Sequence, residues 1–179
     1  MIPVPSHRTY DQVRRGVAFH EAGHAVLAMV YGMHVVSSEI IARFPEPGLS
    51  QVTGCTNVSP PADFDVWHFA EQCAAGEIAE VAHLMAAGLW TPERAKACSA
   101  PHDRDLAVDV LAARGFTISE DVVPVDGKTW AMVRGMARRK VTHLWPHIHA
   151  VAMAMNERTV LTGDDIADLT GLMNPEVAA

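Results

Sequence analysis

Residues 11–31, DQVRRGVAFHEAGHAVLAMVY, are predicted to form one long helix. Val13, Val17 and Leu27 belong to a set of apolar residues that recur near helical spacing along this stretch. Gly32 follows directly, and a glycine just past the last periodic residue is typical of a helix C-terminus. The helix also contains the motif from which the chemistry of the chain is predicted.

That motif is His20-Glu21-Ala22-Gly23-His24, an HExxH pattern. Residues four apart lie one turn above each other on the same helix face, so both imidazoles can reach one metal ion. Neutral imidazole is a good zinc ligand. Glu21 lies about 100° around the helix from His20, where it can hydrogen-bond a zinc-activated water and accept its proton. The motif predicts a zinc hydrolase with His20 and His24 as ligands and Glu21 as the catalytic base.

A catalytic zinc also needs a third protein ligand and an open fourth position. Spacing alone leaves these candidates: Glu71, Glu77, Glu80, His102, Asp103, Asp105 and the group His143, His147 and His149. The last group is weakened by Pro146, which disturbs the helix, and by the absence of a nearby carboxylate in the sequence. Ordinary helix-surface histidines explain it better than a second metal site.

The rest of the chain predicts a single, mainly α (α+β) domain over residues 1–179 with a small β element after the first helix. Two strands are predicted at residues 35–42 and 49–58, separated by a turn at residues 45–48. The other predicted elements are helices at residues 62–89, 102–114, 128–156 (kinked at Pro146) and 162–172, and a short helix or loop at residues 92–100. Thr162 is the predicted N-cap of the last helix, with Asp165 at the compatible N3 position.

Composition excludes several classes of protein. The chain has 179 residues, 49% of them hydrophobic and 20% charged, which is ordinary for one globular domain. The net charge of −7, with scattered Lys and Arg, argues against nucleic acid as the main partner. Three cysteines do not suggest a disulfide framework, and neither a signal peptide nor a membrane-spanning apolar run is visible. We therefore expect a soluble cytoplasmic protein.

Residues 16–26, which contain HEAGHA, resemble the zinc helix of the FtsH-type metallopeptidases, the protease domains of membrane-bound AAA proteases. Three further segments stand in the order of that family: residues 75–80 for its glycine-rich helix, 98–103 for the segment with its third ligand, and 156–166 for its closing pattern. The resemblance implies a helical zincin-like domain. This chain shows no Walker A motif and no membrane anchor, so ATP-driven unfolding is not implied.

The resemblance also implies that the third zinc ligand is an aspartate, either Asp103 or Asp105. Asp105 is followed by Leu106, as in the family's Asp-Leu pair. A helix that presents a ligand to a buried metal should, however, be apolar along the same face. Asp103 meets this condition, with apolar residues at +4, +7 and +8: Ala107, Val110 and Leu111. The pattern favours Asp103.

Two further roles follow from the resemblance. Glu80 matches the first glutamate of the family's AEE segment and would accept a hydrogen bond from a zinc-bound imidazole, unless it is a solvated helix residue. Residues 35–42 would lie beside the cleft as an edge strand and hold an extended peptide by β-augmentation, unless the strand merely covers the core.

The resulting prediction is an ATP-independent zinc metallopeptidase that cleaves flexible or unfolded polypeptides, with His20, His24 and Asp103 as metal ligands. A homo-oligomer is conceivable because the resembling domains form rings. Two alternatives remain: a zinc-binding regulatory or adaptor domain without turnover, and a non-peptidase zinc amidohydrolase. The intact Glu21 argues against the adaptor, because a structural zinc does not need that carboxylate.

Overall fold

The computed structural model describes residues 8–46 and 49–176, without the side chains of residues 44–46, 49 and 50. The helices are α1 (Tyr10–Val30), α2 (Val66–Ala86), α3 (Pro92–Ala97), α4 (Pro101–Ala113), α5 (Trp130–His143), α6 (Trp145–Arg158) and α7 (Gly163–Thr170). The strands are β1 (His34–Glu46), β2 (Leu49–Ser59), β3 (Thr117–Ser119), β4 (Gly127–Thr129) and β5 (Val160–Thr162). The described chain is mainly helical with two small sheets, which confirms the predicted α+β class.

The predicted first helix, α1, is confirmed, and it lies at the centre of the core. Thr9 caps it by accepting a hydrogen bond from the backbone N–H of Gln12, whose side chain accepts from the N–H of Thr9 in return. Every residue from position 21 to position 29 is buried. A helix that is buried on all sides has no solvent face to which a polar side chain can turn. Glu21 and His24 therefore need partners inside the protein.

Helix α2 packs closely against α1 because small residues line the contact. A Cβ atom on Gly23 would lie 2.7 Å from the carbonyl oxygen of Ala75 and 2.9 Å from the Cβ of Ala79. Both alanines are fully buried. The absent side chain of Gly23 thus sets how closely the two helices approach.

The larger sheet has the strand order β2-β1-β5, and both pairings are antiparallel. The expectation that residues 35–42 form an edge strand is wrong, because β1 pairs with β2 on one side and with β5 at Ser37–Glu39 on the other. Strand β5, which the sequence did not predict, supplies that second pairing with only three residues. Within the described ranges, β2 is the outer strand on the side away from β5.

Two local features differ from their predictions. The long helix expected at residues 128–156 is two helices, α5 and α6, which meet at Leu144 (φ −92°, ψ 8°). Pro146 is the second residue of α6 and does not kink a continuous helix, because a backbone N–H in the first turn has no partner within the helix. The predicted cap at Thr162 and Asp165 is confirmed as a capping box, but α7 ends before Gly171 (φ +70°).

Some predictions extend beyond the described part of the chain. The turn predicted at residues 45–48 includes two undescribed positions, and so do the ends of the predicted domain, residues 1–7 and 177–179. Among the helices that the structure describes, none is both long and apolar enough to cross a bilayer.

The close approach of α1 and α2 leads to a stability prediction. Gly23→Ala should lower the free energy of unfolding by about 1–3 kcal/mol, because the new methyl group overlaps the backbone of α2. Gly135→Ala is the matched control, since a Cβ there meets nothing within 4 Å in the middle of α5. The control should gain about 0.5–1 kcal/mol from helix propensity. Urea denaturation measures both changes, and equal stabilities of the two variants would contradict the packing constraint.

Candidate metal centre

Three side chains of α1 and α4 converge on one point. Nε2 of His20 lies 3.1 Å from Oδ2 of Asp103, and Nε2 of His24 lies 3.2 Å from the same oxygen. One ligand atom from each of the three residues can be chosen so that all lie within 4.8 Å of one another. Ligands about 2.0–2.1 Å from a tetrahedral zinc stand roughly 3.3 Å apart, close to the two distances observed here. The three residues can hold a metal ion of that size.

Both imidazoles are oriented by α2. The Nδ1–H of His24 donates to the backbone carbonyl oxygen of Gln72 at 2.8 Å, which leaves the lone pair on Nε2. Nδ1 of His20 lies 3.6 Å from Oε2 of Glu80. The other carboxylate oxygen of Glu80 accepts a hydrogen bond from Arg8 at 2.5 Å. Glu80 is therefore a buried partner of the site rather than a solvated helix residue.

Gly76 of α2 leaves open the space between the two imidazoles. A Cβ atom there would overlap Nε2 of both His20 and His24. Helix interiors disfavour glycine, so the sequence indicates only a weak point at this position. In the folded chain, the missing side chain provides the room that an ion would need.

The structure brings Asp103, and not Asp105, to the histidines. Asp103 lies in the first turn of α4, and its side chain is only 21% exposed. Asp105 is exposed, whereas Ala107 and Leu111 are fully buried. The apolar stripe that favoured Asp103 is therefore the face that α4 packs against the core.

The other candidate ligands lie elsewhere or have other partners. Glu71 accepts a hydrogen bond from the Tyr31 hydroxyl at 2.6 Å, and Glu77 pairs with Arg134 at 2.5 Å. The remaining candidates are exposed or half-buried and join no such cluster: His102, His143, His147 and His149. Within the described residues, 8–46 and 49–176, one group of at least three residues has metal-ligand spacing, namely His20, His24 and Asp103.

The carboxylates of Asp103 and Glu80 favour a positive charge between them. Burial disfavours the charged imidazole, but Asp103 and Glu80 outweigh it and raise the pKa of His20 to about 10. Burial likewise disfavours ionised Asp103, yet hydrogen bonds with both histidines hold its pKa well below the ordinary value. A proton on His20 and a divalent cation between the three side chains are two ways to supply that charge.

The side chain of Glu21 extends from α1 and is held by the larger sheet. The Thr56 hydroxyl of β2 donates to Oε2 of Glu21 at 2.7 Å. Since that proton is used, Ser38 of β1 must donate to the Thr56 oxygen, 2.7 Å away. Gly54 of β2 abuts the same carboxylate, where a Cβ would overlap it. Sequence reasoning missed Ser38, Gly54 and Thr56, because their roles depend on a cross-strand register that no local pattern reveals.

Neither a scan against protein-family models nor a search of curated proteins finds a match for this chain. The resemblance to FtsH-type peptidases therefore stays a prediction that rests on the quoted motifs.

The placement of the two aspartates predicts different effects on metal binding. Asp103→Ala should weaken zinc binding by more than about 100-fold, because it removes a metal ligand. Loss of a residue that only hydrogen-bonds a ligand typically costs roughly 10–100-fold. Asp105→Ala should leave the affinity unchanged, because its side chain is exposed and outside the cluster. Competition with a chromophoric chelator measures both constants. Equal affinities of the two variants would remove Asp103 from the metal centre.

The open space at Gly76 leads to a second prediction. Gly76→Ala should weaken zinc binding by roughly 10–100-fold, the loss that about 1–3 kcal/mol of overpacking produces. Far-ultraviolet circular dichroism of the metal-free variant should match that of the wild type. Gly135→Ala, the same change at an open helix position, should bind zinc normally. Undiminished zinc binding by Gly76→Ala would show that the zinc site lies elsewhere.

Proposed function

We propose that this chain is a zinc-dependent, ATP-independent metallopeptidase with a zincin-like fold of the FtsH protease type. One observation carries the proposal: two imidazole nitrogens and one carboxylate converge, and the carboxylate of Glu21, near enough to help raise the pKa of His20, is not among them. The first three groups can hold an ion, and Glu21, bound instead to Thr56, is left to move a proton. A purely structural metal site would have no use for that second carboxylate.

His20, His24 and Asp103 would hold the ion. Two imidazoles and one carboxylate suit zinc better than magnesium or calcium, which prefer oxygen ligands throughout. The same set also suits ferrous iron, but a carboxylate base beside the ligands favours hydrolysis over redox chemistry. When bound, zinc supplies Lewis acidity, which activates water and polarises a carbonyl group.

Glu21 would act as the general base. Its side chain is buried, and its Oε2 accepts the Thr56 hydrogen bond, so that Oε1 remains to accept a proton from water. Gly54 lets the carboxylate lie against β2, and the Ser38–Thr56 pair fixes its orientation. A base held in one position loses little freedom when the reaction begins.

Strand β2 supports an extended peptide as the substrate. It is the outer strand beside Glu21 in the described sheet, and an outer strand presents backbone donors and acceptors to an added strand. An extended segment of a flexible or unfolded polypeptide can supply that strand. In a folded protein, most backbone N–H and C=O groups are already hydrogen-bonded to one another. Substrate selection would therefore rest on main-chain hydrogen bonds near Gly54 and Thr56.

The test is cleavage of a fluorogenic unfolded protein, without ATP, by the zinc-loaded wild type and by Glu21→Gln. The variant should keep its zinc and lose about 100-fold or more in rate, since it cannot accept the proton. Glu93→Gln, the same change at an exposed residue of α3, should cleave like the wild type. Metal content is measured on each protein by elemental analysis.

Two results would oppose the proposal. Equal cleavage by the wild type and Glu21→Gln would remove Glu21 as the base. If both proteins bind zinc and neither cleaves, the general peptidase activity is absent, and an adaptor domain or a narrow-specificity hydrolase becomes the better explanation.

A further inference from the structure

Arg8 reaches the metal centre from the segment that precedes α1. Its Nη1 donates to Oε1 of Glu80 at 2.5 Å, across 72 positions of sequence. The two side chains are only 14% and 8% exposed. Solvent screens such a pair weakly, and a carboxylate as buried as Glu80 needs a partner to remain charged.

The path of Arg8 passes over Gly16 on α1. A Cβ atom on Gly16 would lie 2.7 Å from Oε1 of Glu80 and 2.9 Å from Nη1 of Arg8. The glycine therefore leaves the space in which guanidinium and carboxylate meet. Thr9, the N-cap residue, fixes where the chain enters α1 and hence the point from which Arg8 extends.

The two oxygens of Glu80 have separate partners. Oε1 binds Arg8, and Oε2 faces Nδ1 of His20 at 3.6 Å. A hydrogen bond to one oxygen restricts the rotation of the carboxylate group, so the other oxygen stays directed toward the imidazole. The ring of His20 then directs Nε2 toward Asp103.

We propose that Arg8 is a positioning residue of the metal centre, which holds Glu80 so that Glu80 orients His20 for metal binding. The inference rests on the proposed zinc site and adds to it a residue from outside the HExxH helix. Arg8 touches neither the three ligand side chains nor Glu21 in any described contact, and it acts through Glu80 alone.

Zinc affinity of the full chain, measured by competition with a chromophoric chelator, tests this role. Arg8→Ala should bind zinc about 10–100-fold more weakly than the wild type, as is typical when an outer partner is lost. Arg14→Ala is the matched control, an arginine of α1 whose side chain donates to Thr159 away from the site. The control should bind zinc like the wild type.

A double-mutant cycle separates positioning from general stability. If Arg8 acts through Glu80, the Arg8→Ala/Glu80→Gln protein should bind zinc no more weakly than Glu80→Gln alone. If the two losses multiply instead, Arg8 acts independently of Glu80 and the inference is wrong. A merely structural Arg8 would lower the urea midpoint and leave zinc affinity unchanged, which would also overturn it.

The outcomes distinguish this inference from the proposed function. A wild type that binds no zinc refutes the proposed function and the role of Arg8 with it. A wild type that binds zinc while Arg8→Ala binds equally well refutes the role of Arg8 alone. If Arg8→Ala does not fold, Arg8→Lys keeps the charge, and its zinc affinity should fall between those of the wild type and Glu80→Gln.

Discussion

The close packing of α1 against α2 is the constraint on which the candidate metal centre depends. Gly23 lets the helices approach until the backbone of Ala75 lies where a side chain would otherwise be. Gln72, Gly76 and Glu80 recur every four residues, so they share one face of α2. Helices α1 and α2 run in opposite directions, so Gln72 lies against His24 and Glu80 against His20, with Gly76 between them. One helix contact therefore supplies both orienting partners and the space that an ion would need.

The same packing buries charge, which has a cost. Arg8, Glu80, His20 and Asp103 all have side chains no more than 21% exposed. Well-packed apolar residues in place of buried ion pairs are often as stabilising or more so. A domain whose net stability is about 5–15 kcal/mol has little to spare for such a cluster. Clustered, perturbed ionisable groups of this kind are typical of functional sites, and this supports a role in binding or catalysis rather than in folding.

Sequence patterns over a few neighbouring residues correctly predicted the features that depend only on those residues. The periodic apolar residues of α1, the capping box at Thr162 and the apolar stripe after Asp103 are properties of a few neighbouring residues. The outer position of β2, the strand β5 and the Ser38–Thr56 contact depend on which distant segments pair. The break between α5 and α6 was missed for a different reason. A proline that kinks one helix and a proline in the first turn of the next helix give nearly the same sequence pattern.

The two halves of the proposed chemistry are held by different parts of the fold. The candidate metal ligands come from α1 and α4, with both imidazoles oriented by α2, whereas the carboxylate of Glu21 is held by the paired strands β1 and β2. Gly54 and Thr56, which contact Glu21, belong to the strand whose outer edge would receive an extended peptide. A peptide paired with β2 would therefore stiffen the strand that positions the base. Substrate binding and base alignment would be linked through one hairpin, while the metal ligands, held by the helices, stay as they are.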